Sequence, residues 1–255
     1  MRRVVVTGLG MVSPLWSGVS GTWQRLVNGE SGISRVENFD VSAIACKVAA
    51  QLPKGDAAGA FRPDEWMSAK DQRKTDDFII FAVAAASEAV DDAEWTPEDE
   101  SSLARTGVVI GSGIGGLTTI ADTAIVLHER GPRRVSPHFM PAALINLAAG
   151  HVSIRYGFRG PNLSVVTACS TGTHAIGEAA RIIQRDDADV MVAGGTEAPI
   201  CPLGLAGFAA ARRSRLRSGD RPQPGWWRGW TSGAHPISTI GRCSRSEDPG
   251  DPARD

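Results

Sequence analysis

The chain has 255 residues, 42 % of them hydrophobic and 22 % charged, with a formal net charge of −1, a length for one large domain or two small ones. That balance carries no global signal for nucleic acid or a membrane surface, and no apolar run reaches the ~18 residues that a spanning helix requires. The four cysteines, at positions 46, 169, 201 and 243, have no paired spacing, which argues against a zinc site or a disulfide framework and points to a reducing cytoplasm.

At the N-terminus, Met1-Arg2-Arg3 before Val4-Val5-Val6 faintly imitates a signal peptide. Gly8, Gly10 and Ser13-Pro14 soon break the apolar part and no small-residue cleavage site follows, so a strand over Arg3–Thr7 and a glycine turn explain it better. A helix is expected from about Ser68 to Asp92, where polar Lys70-Asp71-Gln72-Arg73-Lys74 leads into Phe78-Ile79-Ile80-Phe81-Ala82-Val83-Ala84. Further strands are expected over Thr106–Ile110, Leu163–Thr167 and Val190–Ala193. Helices are expected over about Ala142–Ile154 and from Ala175 to about Gln184. Strands alternating with helices imply an α/β architecture, a mostly parallel sheet covered on both faces.

Residues 213–255 change character. They hold eight arginines and no lysine, with Trp226, Trp227 and Trp230 close together, and no helical or alternating period survives. A disordered extension or a basic aromatic arm for single-stranded nucleic acid fits this less well than a third reading. Arg, Pro, Gly, Ser and Trp are what a GC-rich gene yields when read out of frame, and the chain has many more arginines than lysines. The expected organisation is a domain over 1–212 and a non-native-looking tail over 213–255.

Ser164-Val165-Val166-Thr167-Ala168-Cys169-Ser170-Thr171-Gly172-Thr173-His174 is the stretch that names a chemistry. Its β-branched run reads as a buried strand that stops at small residues, and helical spacing follows from Ala175 to Ile183. Cys169 is thereby expected at a strand-to-helix turn, where free backbone N–H groups and the helix dipole stabilise an anion. A thiol so placed gains the thiolate character that a nucleophile needs. The same N–H groups could hold the oxyanion formed when a thioester carbonyl is attacked. The competing reading is a buried structural cysteine.

Gly111-Ser112-Gly113-Ile114-Gly115-Gly116 contains a formal G-x-G-x-x-G after a strand and supplies a rival, a nicotinamide-dependent oxidoreductase. That fingerprint expects a second strand ending in an acid about 20 residues on. Here the polar stretch Thr118–Arg130 leads to Gly131-Pro132 instead. The glycines are better read as letting the backbone turn tightly beneath the cysteine helix. His128, His138, His151, His174 and His235 are the only imidazoles. His174, five residues after Cys169 and roughly 140° round the helix, is poorly placed to reach the sulfur and reads as a packing or hydrogen-bonding group. His151, expected to open a helical segment, has the same default.

The Cys169 run resembles the active-site segment of the β-ketoacyl-acyl carrier protein synthases, most of all their type II elongation enzymes. The resemblance begins at Arg3-Val4-Val5-Val6-Thr7-Gly8-Leu9-Gly10-Met11-Val12-Ser13-Pro14 and continues through Asn28-Gly29-Glu30-Ser31-Gly32-Ile33. It includes Gly111–Gly116, Gly131-Pro132-Arg133-Arg134-Val135-Ser136-Pro137 and Gly157-Phe158-Arg159-Gly160-Pro161. It ends with Ala188–Gly195 and Gly207-Phe208-Ala209-Ala210-Ala211-Arg212, so it covers residues 2 to about 212.

The resemblance implies a thiolase-like fold, two similar α/β halves stacked in layers, of which this chain carries the N-terminal half. It implies Cys169 as the acyl-accepting nucleophile, its backbone N–H as an oxyanion donor, and no cofactor or metal. The implied partner is an acyl carrier protein bearing acyl and malonyl thioesters, in a cytoplasmic homodimer formed through this half. In the family, two catalytic histidines, a lysine and a glycine-rich phenylalanine loop lie in the second half. None of those motifs is present here, and His235 in Gly233-Ala234-His235-Pro236 matches neither histidine motif. The expectation is therefore an acyltransferase by family, inactive in condensation alone and with an apolar face left uncovered. The alternative is a non-catalytic fragment that acts at most by dimer interference.

Overall fold

Two continuous apolar runs, Thr106–Gly111 and Val190–Gly195, are buried at every residue and form the centre of the sheet. Such runs, without polar alternation, suit strands covered on both faces. The computed structural model describes residues 2–213 and 237–242, with side chains described through Ala211.

The N-terminal part comprises strand β1 (Val4–Gly10), helix α1 (Val19–Val27), strands β2 (Ser34–Arg35) and β3 (Val48–Ala49), and helices α2 (Ala69–Gln72), α3 (Asp77–Asp92) and α4 (Glu100–Ala104). Strand β4 (Thr106–Gly111) and helices α5 (Leu117–Arg130), α6 (Phe139–Ala143) and α7 (Leu147–Tyr156) follow. The remainder is strand β5 (Asn162–Leu163), helix α8 (Thr171–Gln184), strand β6 (Val190–Gly195), helix α9 (Pro202–Arg213) and strand β7 (Ile237–Arg242).

The main sheet has the order β1-β7-β6-β4-β5. Strand β4 runs parallel to β5 and β6, whereas β7 is antiparallel to both β6 and β1. Alternation along the strands divides the core. Val108, Ile110 and Val192 join α3 and α7 in one cluster, while Val109, Met191 and Ala193 join Ala175, Ala179, Ile182 and Ile183 of α8 in another. The two helix layers therefore lie on opposite faces of the sheet.

Several local expectations are corrected. The helix expected over Ser68–Asp92 is two helices, because Asp76 caps α3 by accepting from the Phe78 N–H at 3.4 Å, and a capping acid starts a helix rather than continuing one. The one expected over Ala142–Ile154 breaks after α6, where the Ala143 carbonyl accepts from the Gly116 N–H at 3.2 Å. His151 accordingly sits within α7 and does not open it. Gly8 and Gly10 form no turn. They lie within β1, where a Cβ would collide with the Ala89 and Ala85 carbonyl oxygens of α3. The strand expected over Leu163–Thr167 pairs only at Asn162 and Leu163. Beyond them the Ser164 hydroxyl donates to the Ile110 carbonyl at 2.7 Å in place of a ladder bond.

Thr118–Arg130 is not a strand but belongs to α5. Within the tail, the β-branched residues of Ile237–Arg242 carry a strand signal that the surrounding composition concealed. This segment is β7, paired on both sides. Trp226, Trp227, Trp230, His235 and Cys243 lie outside the described residues.

Candidate active site

Sequence dictates an abrupt change of direction after Val166. Thr167 has left the extended region at φ −140°, ψ 44°, and Ala168 turns to φ 50° in the left-handed region. That conformation costs an L-residue about 1–2 kcal/mol, and such strain concentrates at functional sites. A single 3₁₀ turn, Ala168–Ser170, follows and feeds directly into α8.

The turn is tied at three points. Thr171, 1 % exposed, accepts from the Thr167 N–H at 2.9 Å and donates its hydroxyl to the Ala168 carbonyl at 2.8 Å. Ser170 Oγ donates to the Thr167 carbonyl at 2.8 Å. Thr167 Oγ1 and His174 Nδ1 lie 3.2 Å apart, so His174 braces the strand end against the helix.

Cys169 stands at the crest of this turn and is exposed, which removes the reading of it as a buried structural cysteine. Among the described residues its backbone N–H has no hydrogen-bond acceptor. The other described cysteines differ. Cys201 is buried and its sulfur accepts from the Gly204 N–H at 3.4 Å, while Cys46 is half-buried with its thiol on the Val48 carbonyl at 3.3 Å.

The glycine loop after β4 lies under the turn. A Cβ at Gly111 would strike the Val165 carbonyl and the Thr171 methyl, so only glycine lets this strand end meet the cysteine turn. The loop amides are already occupied. Glu197, just beyond β6, accepts from the Gly113 N–H at 2.7 Å, the Ile114 N–H at 3.2 Å and the Ser112 hydroxyl at 2.9 Å. At the start of α5, the Thr119 N–H and hydroxyl both donate to Asp76, at 3.0 and 2.8 Å. The donors with which a G-x-G-x-x-G loop cradles a pyrophosphate are thus bonded to the chain's own carboxylates.

Burial pushes the carboxyls of Glu197 and Asp76 above the usual range, against the hydrogen bonds that lower them. Burial likewise lowers His151. His128 and His138 are exposed at the end of α5 and the start of α6, remote in sequence from the cysteine turn. Sequence reasoning missed Thr171, Asp76 and Glu197. An acid two residues after the buried run Val190–Gly195 was the available signal for Glu197. Among the described residues, no group of three or more His, Cys, Asp or Glu side chains could hold a metal ion, and no helix is long and apolar enough to cross a membrane.

An exposed thiol on a strained strand-to-helix turn, above a glycine loop, is the feature by which the chain can be compared with known proteins. The family described as β-ketoacyl synthase, N-terminal domain, matches residues 1–224. The chain belongs to the β-ketoacyl synthase family. Its match runs beyond Arg212, further than the motifs alone indicate.

The 3-oxoacyl-[acyl-carrier-protein] synthase 2 of Rhizobium meliloti (strain 1021) is 55 % identical over 224 residues, covering 88 % of this chain and 53 % of the relative. A mitochondrial 3-oxoacyl-[acyl-carrier-protein] synthase of Arabidopsis thaliana is 48 % identical over 236 residues, covering 87 % of this chain and 50 % of its own length. The chain therefore spans about half the length of these curated relatives. Among solved structures, a β-ketoacyl synthase from Burkholderia phymatum STM815 superposes with a TM-score of 0.75 at 26 % identity, over 95 % of this chain and 60 % of that one. The fold is the thiolase-like fold of the ketosynthases.

Proposed function

We propose that the chain performs the acyl-accepting step of a 3-oxoacyl-acyl carrier protein synthase, with Cys169 as nucleophile. The supporting observation is the exposed thiol at the crest of a turn whose N–H is uncommitted, at the entrance to α8. The Cys169 sulfur attacks the thioester carbonyl of an acyl group on its carrier protein, and the Cys169 N–H donates to the resulting oxyanion. Collapse breaks the carrier's C–S bond, and the proton lost by Cys169 ends on the departing carrier thiol. The step exchanges one thioester for another and needs no cofactor.

In the complete reaction, malonyl-carrier protein loses CO2 and the carbanion attacks the acyl-cysteine, giving a β-ketoacyl product two carbons longer in fatty-acid elongation. Enolate charge in that step needs donors that the resemblance assigns to two histidines whose motifs this chain lacks. Loss of one such donor costs about 2.7–4 kcal/mol, so condensation depends on those donors, whereas acylation of Cys169 does not draw on them.

The domain carrying the nucleophile is 1–212, to which residues 237–242 of the segment beyond add strand β7, and the protein works in the cytoplasm as a homodimer. Support for a second copy comes from the β5 margin of the sheet, where Leu163 and Val166 are 46 % and 52 % exposed. The alternative, a fragment acting only through such pairing, predicts no chemistry at Cys169.

Incubation with an acyl-carrier thioester decides between them. The expected result is a covalent mass increase on Cys169, absent in Cys169→Ser, and an unmodified wild-type chain sinks the catalytic reading. A sedimentation mass of one chain for the wild type, or of two for Val166→Lys, removes the proposed pairing edge.

A further inference from the structure

The half-buried carboxyl of Glu197 is not used by the acylation chemistry, yet it joins the rigid core to the nucleophile's turn. Its neighbour Thr196, 1 % exposed, donates its hydroxyl to the Phe78 carbonyl of α3 at 2.6 Å and its N–H to the Gly111 carbonyl at 3.0 Å. The Glu197 backbone is therefore anchored on the most enclosed helix of the molecule. From that anchor the two carboxyl oxygens take separate tasks. Oε1 accepts from Ser112 Oγ, which in turn accepts from the Gly115 N–H at 3.0 Å, and Oε2 accepts from the Gly113 and Ile114 N–H groups. The loop's shape is thereby fixed by one side chain from 85 residues away.

That loop carries the strained residue. At the head of that loop a Cβ on Gly111 would strike the Val165 carbonyl and the Thr171 methyl, and Thr171 in turn donates to the carbonyl of left-handed Ala168, while Gly113 faces Ala168 with room for one methyl group between them. A turn held against its conformational preference relaxes when its support moves. We propose that Glu197 is a positioning residue for Cys169, clamping the Ser112–Gly115 loop so that Ala168 stays left-handed and the Cys169 thiol and N–H face the same approach path. The role rests on the reading of Cys169 as the nucleophile. Glu197 itself touches neither substrate nor sulfur in this account.

Hydrogen-bond geometry is what the clamp requires, and glutamine reproduces it. The amide oxygen of Glu197→Gln accepts from Gly113 and Ile114, and its NH2 group donates to Ser112 Oγ. Glu197→Ala leaves two backbone N–H groups without their acceptor, and Ser112→Ala removes only the link to Gly115. The test is the pH profile of iodoacetamide alkylation of the full chain, read peptide by peptide with Cys46 and Cys201 as internal references.

In Glu197→Ala the rate of Cys169 alkylation falls at least fivefold across the profile, with the two reference cysteines unchanged. Glu197→Gln overlays the wild type within twofold, and Ser112→Ala slows Cys169 alkylation by a smaller factor. A wild-type profile in Glu197→Ala overturns the proposal, as does a Glu197→Gln profile matching that of Glu197→Ala. If Cys46 and Cys201 gain reactivity together in Glu197→Ala, the fold has loosened, and Ser112→Ala decides: an unslowed Cys169 there overturns the clamp. Failure of the wild type to take an acyl group from a carrier thioester removes the proposed function alone, since alkylation needs no oxyanion donor.

Discussion

Helices α3 and α8 flank the same sheet and divide its duties. Twelve of the 16 residues of α3 are buried, so it is enclosed by β1, β7, α7 and the N-terminal loops. Only six of the 14 residues of α8 are buried, all facing the sheet, and its first turn opens to solvent beside Cys169. Enclosure supplies a support that does not yield, and openness supplies a backbone N–H that a reactant can reach. Stability and reactivity are thus separated by the thickness of a sheet, and Thr196 with Glu197 bridges them.

The largest expected effect tests the enclosed side. Phe78 is fully buried, so Phe78→Ala should cost about 3–5 kcal/mol in urea unfolding. Cys169→Ser, at an exposed position, should stay within about 0.5 kcal/mol. Comparable losses would erase the contrast. Next comes Asp76→Ala, which removes the cap of α3 and both bonds to Thr119. A loss of about 1–3 kcal/mol, with faster amide exchange at Phe78 and Thr119, is expected.

A smaller effect probes the open side. Glycine at Ala168 relieves a left-handed penalty of about 1–2 kcal/mol but frees the unfolded chain by about 0.4–1 kcal/mol. Ala168→Gly should therefore raise stability by no more than about 1.6 kcal/mol, and a decrease would show that the turn is unstrained.

The smallest effect is one of pH. Burial raises the Glu197 carboxyl in the folded state, so the fold holds a proton that the unfolded chain releases near 4.5. Its contribution is fully present below that value and is lost as pH rises through the folded value. The stability of the wild type relative to Glu197→Gln should accordingly decline as pH increases above 4.5 in a series of urea titrations. A flat difference would place the carboxyl in contact with solvent.

The core strands were legible because burial on both faces writes an uninterrupted apolar run, as in Thr106–Gly111 and Val190–Gly195. Cys169 was legible because a β-branched run, small residues and a helical period follow one another locally. The division of the long helix at Asp76 was hidden, since an acid among polar residues shows no period of its own and its partner Thr119 is 43 residues away. Strand β7 was hidden by composition, because its three β-branched residues, Ile237, Thr239 and Ile240, are outweighed by the prolines, glycines and arginines around them.

By itself the sequence determined the family and the place of Cys169 between a strand and a helix, since these depend on residues adjacent in the chain. The tertiary structure alone decided that Ala168 is left-handed, that Gly111 and Gly113 lie beneath it, and that Glu197 consumes the loop's amides. Each of these follows from packing between segments far apart in the chain, where a backbone angle is imposed by neighbours and is not chosen by the residue that adopts it.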